Sequence, residues 1–112
     1  MTITYSPVAK LDEIPDGGIK QVAAHGDVIG LYRRGSEVWA INDYCTHEET
    51  FLSEGDFDSD DMEVECHLHG SRFNVSDGGV RILPATKPVA TYPVKIEGDL
   101  VLIGPRNESF KE

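Results

Sequence analysis

Cys45-Thr46-His47 and, after eighteen intervening residues, Cys66-His67-Leu68-His69-Gly70 decide how this chain is read. They hold the only two cysteines of the 112-residue sequence, and each cysteine has a histidine two or three places on. A Cys-x-His pair facing a Cys-x-x-His pair presents two thiolates and two imidazoles from two loops, which is a complete four-ligand set for metal. Cys45, His47, Cys66 and His69 are therefore the candidate ligands. Two metals suit such a set. Zinc accepts it as a closed tetrahedral site, and an iron–sulfur cluster accepts it with imidazoles replacing two of the usual four thiolates. Zinc motifs group two cysteines and then two histidines, whereas here each pair mixes the two types, which favours iron.

Outward from the ligand pairs, residues 48–65 contain Glu48, Glu49, Glu54, Asp56, Asp58, Asp60, Asp61, Glu63 and Glu65 and no Lys or Arg. Nearly half of the 20 acidic residues thus lie between the two pairs, against 10 Lys and Arg in the chain and a net charge of -10. Such a balance argues against nucleic acid or an anionic membrane as partner and favours a basic protein surface. Met62-Glu63-Val64-Glu65 alternates apolar and acidic, predicting a half-exposed strand that runs into Cys66. Arg72-Phe73-Asn74-Val75 reads as the strand leaving the second pair, closed by Ser76-Asp77-Gly78-Gly79.

Towards the N-terminus, Asp16-Gly17-Gly18, His25-Gly26-Asp27 and Arg34-Gly35-Ser36 punctuate three apolar segments, Ile19 to Ala24, Val28 to Arg33 and Glu37 to Asn42. Strand-length segments between Gly-bearing turns predict a β-meander. Val8 to Pro15 reads as a connector with one helical turn, with Leu11 and Ile14 capping the core. Tyr32, Trp39 and Ile41 are expected in the core or on the sheet surface, and His25 as a plain turn residue. Towards the C-terminus, the proline spacing of Pro84, Pro88 and Pro93 breaks helices and stiffens a loop. Tyr92 to Glu97 and Leu100 to Ile103, joined through Gly98-Asp99, predict a hairpin returning to the larger sheet, and Gly104 to Glu112 a frayed polar tail.

At the two ligand pairs, and over about residues 8 to 103, the sequence resembles the Rieske family, in particular the small Rieske ferredoxins of bacterial aromatic-ring-hydroxylating dioxygenase systems. The resemblance implies an all-β fold, an antiparallel sandwich or partial barrel carrying a smaller cluster-binding subdomain at about residues 43–83, within one domain spanning 1–112. It implies one [2Fe–2S] cluster, with Cys45 and Cys66 on the inner iron and His47 and His69 on the outer one. It makes Leu83 to Ala85 part of a proline-bearing lid. His67 stands where the family more often has proline, and is expected beside the cluster without ligating it.

The resemblance also bears on potential. Formal charges of an oxidised cluster with two neutral histidines sum to about zero, against about minus two with four cysteines, so an electron enters more easily. High-potential respiratory members carry an extra cysteine in each ligand loop, and the matching positions here are Thr50 and Leu68. They also place a serine and a tyrosine after the second pair, where this chain has Ser71 but Phe73. A low-potential centre is expected.

The function so implied is that of a one-electron carrier, not an enzyme, between an NAD(P)H-dependent flavoprotein reductase and a terminal oxygenase. Oxygen activation needs a separate mononuclear iron, and after ligation only His25 and His67 remain. No nucleophile elbow, phosphate loop or dinucleotide fingerprint occurs. A small Rieske subunit of another oxidoreductase, such as a nitrite reductase, and a zinc-stabilised structural domain are the alternatives. With both cysteines at ligand spacing, no basic or apolar leader in Met1 to Tyr5 and no apolar run near the roughly 18 residues of a membrane span, a cytoplasmic monomer is expected.

Overall fold

The computed structural model describes residues 4–44, 50–66, 70–82 and 89–107. Its strands, in chain order, are β1 (Ser6–Lys10), β2 (Ile19–Ala24), β3 (Asp27–Arg34), β4 (Glu37–Asn42), β5 (Asp56–Asp58), β6 (Glu63–Glu65), β7 (Arg72–Asn74), β8 (Val80–Ile82), β9 (Thr91–Tyr92), β10 (Val94–Glu97) and β11 (Leu100–Ile103). They pair antiparallel throughout, in three sheets of order β1-β11-β10, β2-β3-β4-β9 and β5-β6-β7-β8. The all-β antiparallel architecture expected from the sequence is the one observed.

The meander forms as its turn residues dictate. His25 and Gly26 both adopt positive φ, 53° and 79°, as a two-residue type I′ turn requires, and they set the β2–β3 register from Ile19↔Tyr32 to Ala24↔Asp27. Strand β4 then pairs with β3 on one side and β9 on the other. The near-continuous apolar runs Val28 to Tyr32 and Val38 to Ile41 follow from burial on both faces. On one face Ile29, Leu31, Val38 and Ala40, with Tyr92 of β9, pack with Ile14 and with Val101 and Ile103 of β11. On the other, Tyr32 and Ile41 pack with Leu52, Val64, Cys66, Phe73, Val75 and Val89, with Trp39 partly buried against them. Each fully buried Val, Leu, Ile or Phe contributes roughly 1.5–3 kcal/mol.

Four expectations are corrected. The Val8 to Pro15 connector contains most of β1, which pairs with β11, although the helical turn is present as a 3-10 turn at Leu11–Glu13 and Ile14 is fully buried. Tyr92 to Glu97 is two strands. Pro93, which has no N–H for a ladder, separates β9 in the central sheet from β10, so the C-terminal hairpin builds the β1-β11-β10 sheet. The acidic stretch 48–65 contains β5 as well as the foreseen β6. Finally, Gly104 to Asn107 is not frayed. Gly104 donates to the Pro93 carbonyl (3.0 Å), Asn107 donates from its backbone N–H to the Thr91 carbonyl (2.8 Å), and the Arg106 guanidinium pairs with Asp27 (3.0 Å). Residues 108–112 lie outside the described residues.

Tyr92 is the hub of this last arrangement. Its hydroxyl donates to Asp27 Oδ2 (2.6 Å) and accepts from Asn42 Nδ2 (3.1 Å), tying β9 to the end of β4 and the start of β3. Burial, and then the hydrogen bond to the Asp27 carboxylate, push the Tyr92 pKa up to about 12. A phenol with a raised folded-state pKa contributes stability below its ordinary value near 10 and loses it as pH rises through about 12. Tyr92→Phe is therefore expected to cost about 1–3 kcal/mol at neutral pH. The gap between variant and wild type should narrow between pH 10 and 12, as read by urea denaturation across that range.

Candidate metal centre

The first ligand pair hangs from the end of β4. There the Asp43 N–H donates to the Val28 carbonyl (2.9 Å), and the chain turns out at Tyr44, which is 48% exposed. It returns at Phe51, paired with Tyr44 as an isolated antiparallel bridge, their rings 5.0 Å apart. The Leu52 N–H then donates to the Asp43 carbonyl (2.7 Å), which closes the loop at its base. Cys45 and His47 fall within this loop, and both lie outside the described residues.

The second pair occupies the loop of the β6–β7 hairpin. The Cys66 N–H donates to the Ser71 carbonyl (2.7 Å) and the Gly70 N–H to the Cys66 carbonyl (3.0 Å). Gly70 reverses the chain at φ +76°, a conformation L side chains rarely take. Cys66 is a free thiol, 1% exposed, lodged in the core with Leu52, Val64 and Phe73. His67 and His69 lie outside the described residues. Among the described residues the structure thus places one of the four candidate ligands. It also roots the two ligand loops in one core, since Leu52 follows the first and Cys66 opens the second.

Neighbouring positions fall as follows. Thr50 is buried and Phe73 fully so, the latter inside the core. Leu68 and the lid residues Leu83 to Ala85 are outside the described residues, but the segment 83–88 is bracketed by β8, paired with β7, and by Val89, whose N–H donates to the Gly78 carbonyl (2.9 Å) and whose side chain is buried in the same core. His25 is more than a turn residue: its Nε2 lies 3.0 Å from the Ile103 carbonyl, pinning the β2–β3 turn to the end of β11.

The electrostatics of the hairpin sheet were only partly legible. Phe57, Val64 and Phe73 face the core in register, which turns the alternate residues outward. Asp56 stands opposite Glu65 and Asp58 opposite Glu63, so like charges confront each other across β5 and β6. Arg72, from beyond the second loop, relieves them: its guanidinium contacts Glu63 (3.0 Å) and Glu65 (3.4 Å). Those hydrogen bonds raise its pKa above the ordinary arginine value. The absence of basic residues in 48–65 gave no hint of this, because the neutralising charge arrives by strand register. A second missed residue is Asp43, a fully buried carboxylate at the mouth of the first loop.

Among the described residues a Cβ on Gly70 would meet Glu65 Oε2 at 3.5 Å, an ordinary contact, so the penalty argued for a side chain is the conformational one at φ +76°. Gly70→Ala is expected to lower stability by about 1–2 kcal/mol. Gly70→Asn should lose less, since asparagine tolerates this backbone region; urea denaturation of the two variants checks both.

The Rieske [2Fe-2S] domain model matches residues 4–93. The ferredoxin component of the naphthalene 1,2-dioxygenase/salicylate 5-hydroxylase systems of Ralstonia sp is 39% identical over 103 residues, 92% of this chain and 97% of that protein. Among solved structures, the ferredoxin of carbazole 1,9a-dioxygenase from Nocardioides aromaticivorans IC177 superposes with a TM-score of 0.88 at 36% identity, covering 91% of this chain and 98% of that one. A ferredoxin-sized chain in a complex of reduced oxygenase and oxidized ferredoxin in carbazole 1,9a-dioxygenase gives 0.82 at 31% identity, covering 89% and 92%. Matched over most of its length by the family model and by relatives above 30% identity, the chain belongs to the Rieske [2Fe-2S] domain family.

Proposed function

We propose that this chain is the ferredoxin component of a multicomponent aromatic-ring-hydroxylating dioxygenase, a one-electron carrier between an NAD(P)H-dependent flavoprotein reductase and a terminal oxygenase. The observation that carries the reading is the near end-to-end match with ferredoxin components of such systems. Its role is electron transfer and not substrate chemistry.

The residues fit the cluster of the family. Cys66 is free, buried and fixed by hydrogen bonds at the base of its loop, as a thiolate ligand shielded from water should be. The set of two cysteines and two histidines supplies the mixed donors such a cluster takes. Cys45 and Cys66 would hold the inner iron, His47 and His69 the outer, within a cluster-binding subdomain at about 43–83. When bound, the cluster supplies reversible one-electron chemistry.

The protein's own residues supply the rest. Val64, Phe73 and Leu52 exclude water around Cys66, which strengthens every charge interaction there. Phe73 brings no hydroxyl to the centre, in keeping with a potential near the lower end, roughly −150 mV, of the Rieske range. The outward carboxylates of β5 and β6 favour encounter with basic partner faces, an effect that weakens with salt. No helix of the described residues is long and apolar enough to cross a membrane. With both cysteines given to the cluster, the chain is read as a cytoplasmic carrier.

Redox titration followed by electron paramagnetic resonance, with iron and acid-labile sulfide assayed on the same sample, tests this reading. A reversible one-electron signal with the low average g value of mixed histidine and cysteine ligation is expected. His69→Ala should abolish it and His67→Ala should leave it. A colourless, zinc-containing sample from an iron-replete, anaerobic preparation would overturn the cluster and the carrier together, and stable co-purification with a large subunit would move the chain to the oxidoreductase-subunit alternative.

A further inference from the structure

Asp43 is the first residue beyond β4 and is 0% exposed, in a protein whose acids otherwise crowd its surface. Among the described residues its two carboxylate oxygens accept three hydrogen bonds: from the Ser53 N–H to Oδ1 (2.8 Å), from the Ser53 hydroxyl to Oδ2 (2.6 Å) and from Gln21 Nε2 to Oδ2 (2.7 Å). Its backbone carbonyl accepts from the Leu52 N–H (2.7 Å). One residue at the start of the first ligand loop therefore holds both residues 52 and 53 at its end. Gln21 extends the tie to β2, reaching Ser53 Oγ as well (3.4 Å).

The central sheet is shaped to admit this carboxylate. Gly30 sits in the middle of β3, where glycine weakens a strand and marks a close approach. A Cβ there would stand 3.1 Å from Asp43 Oδ1 and 3.0 Å from Tyr32 Cε1. Burial of a carboxylate is unfavourable, and a neutral side chain with the same bonds would close the loop with less desolvation. Among the described residues the hydrogen-bond partners of the Asp43 carboxylate, Ser53 and Gln21, are neutral.

We propose that Asp43 is a positioning residue of the metal centre: with Ser53 and Gln21 it clamps the two ends of the loop bearing Cys45 and His47. The inference rests on the reading of Cys45 and His47 as ligands.

Three variants test the clamp. Asp43→Asn is the conservative change, since it keeps an oxygen for the Ser53 N–H. Ser53→Ala removes the hydroxyl bond, and Asp43→Ala removes every side-chain bond of Asp43. Iron and sulfide content of the wild type tests the ligand reading by itself. Amide hydrogen exchange at Ser53 tests the clamp whether or not a cluster is bound. Expected are Ser53 exchange at least tenfold faster in Asp43→Ala, cluster loss to a chelator at least fivefold faster in Asp43→Ala and about twofold faster in Ser53→Ala, and Asp43→Asn closer to wild type than Asp43→Ala in both rates. Ser53 exchange and cluster loss at wild-type rates would overturn the clamp, with Ser53→Ala deciding if Asp43→Ala does not fold. Rates in Asp43→Asn as fast as in Asp43→Ala would overturn the part assigned to the side-chain hydrogen bonds.

Discussion

Strands β3 and β4 bury side chains on both faces, and this double burial is the constraint on which the rest of the molecule depends. A sheet covered on one side only would have left either the C-terminal hairpin or the ligand-bearing hairpin without a surface to pack on. Because Ile29 and Leu31 face one way and Tyr32 the other, both additions bury their apolar residues against the same two strands. Each ligand loop is short, closed at its base by backbone hydrogen bonds and attached to a strand or turn whose side chains lie in the shared core.

What could be read in advance follows from which interactions are local. The β2–β3 turn was legible because a type I′ turn needs positive φ at two successive residues, which His25-Gly26 advertises in the chain itself. The strand entering Cys66 was legible because Glu63 and Glu65 flank a buried Val64. What escaped was decided at a distance. Pro93 fits either the end of one strand or a break between two, and only the pairing of Thr91 with Ile41 and of Val94 with Ile103 selects the second. Arg72 reaches Glu63 and Glu65 through register, and Asp43 becomes a buried hub through Ser53 and Gln21, ten and twenty-two positions away. Of the ligand set itself, chain spacing identified all four candidates, and the described structure adds the setting of Cys66.

The charge distribution reconciles two demands on a small electron carrier. A strongly acidic surface favours encounter with basic partners, yet like charges facing each other across β5 and β6 oppose the sheet that carries the second loop. Arg72 resolves the conflict locally. Its guanidinium pairs with both carboxylates that β6 sets against β5, Glu63 and Glu65, so the surface remains acidic without unzipping the strands beneath it.

The gap at Gly30 has a consequence for how this sequence can change over time. Tyr32 and Asp43 press on the same empty volume from different elements, one a core aromatic and the other the loop hub. A side chain acquired at position 30 would press on both at once, and making room at 32 alone or at 43 alone would leave the other contact in place. The three positions are therefore coupled: a change at any of them alters the effect of a change at the other two.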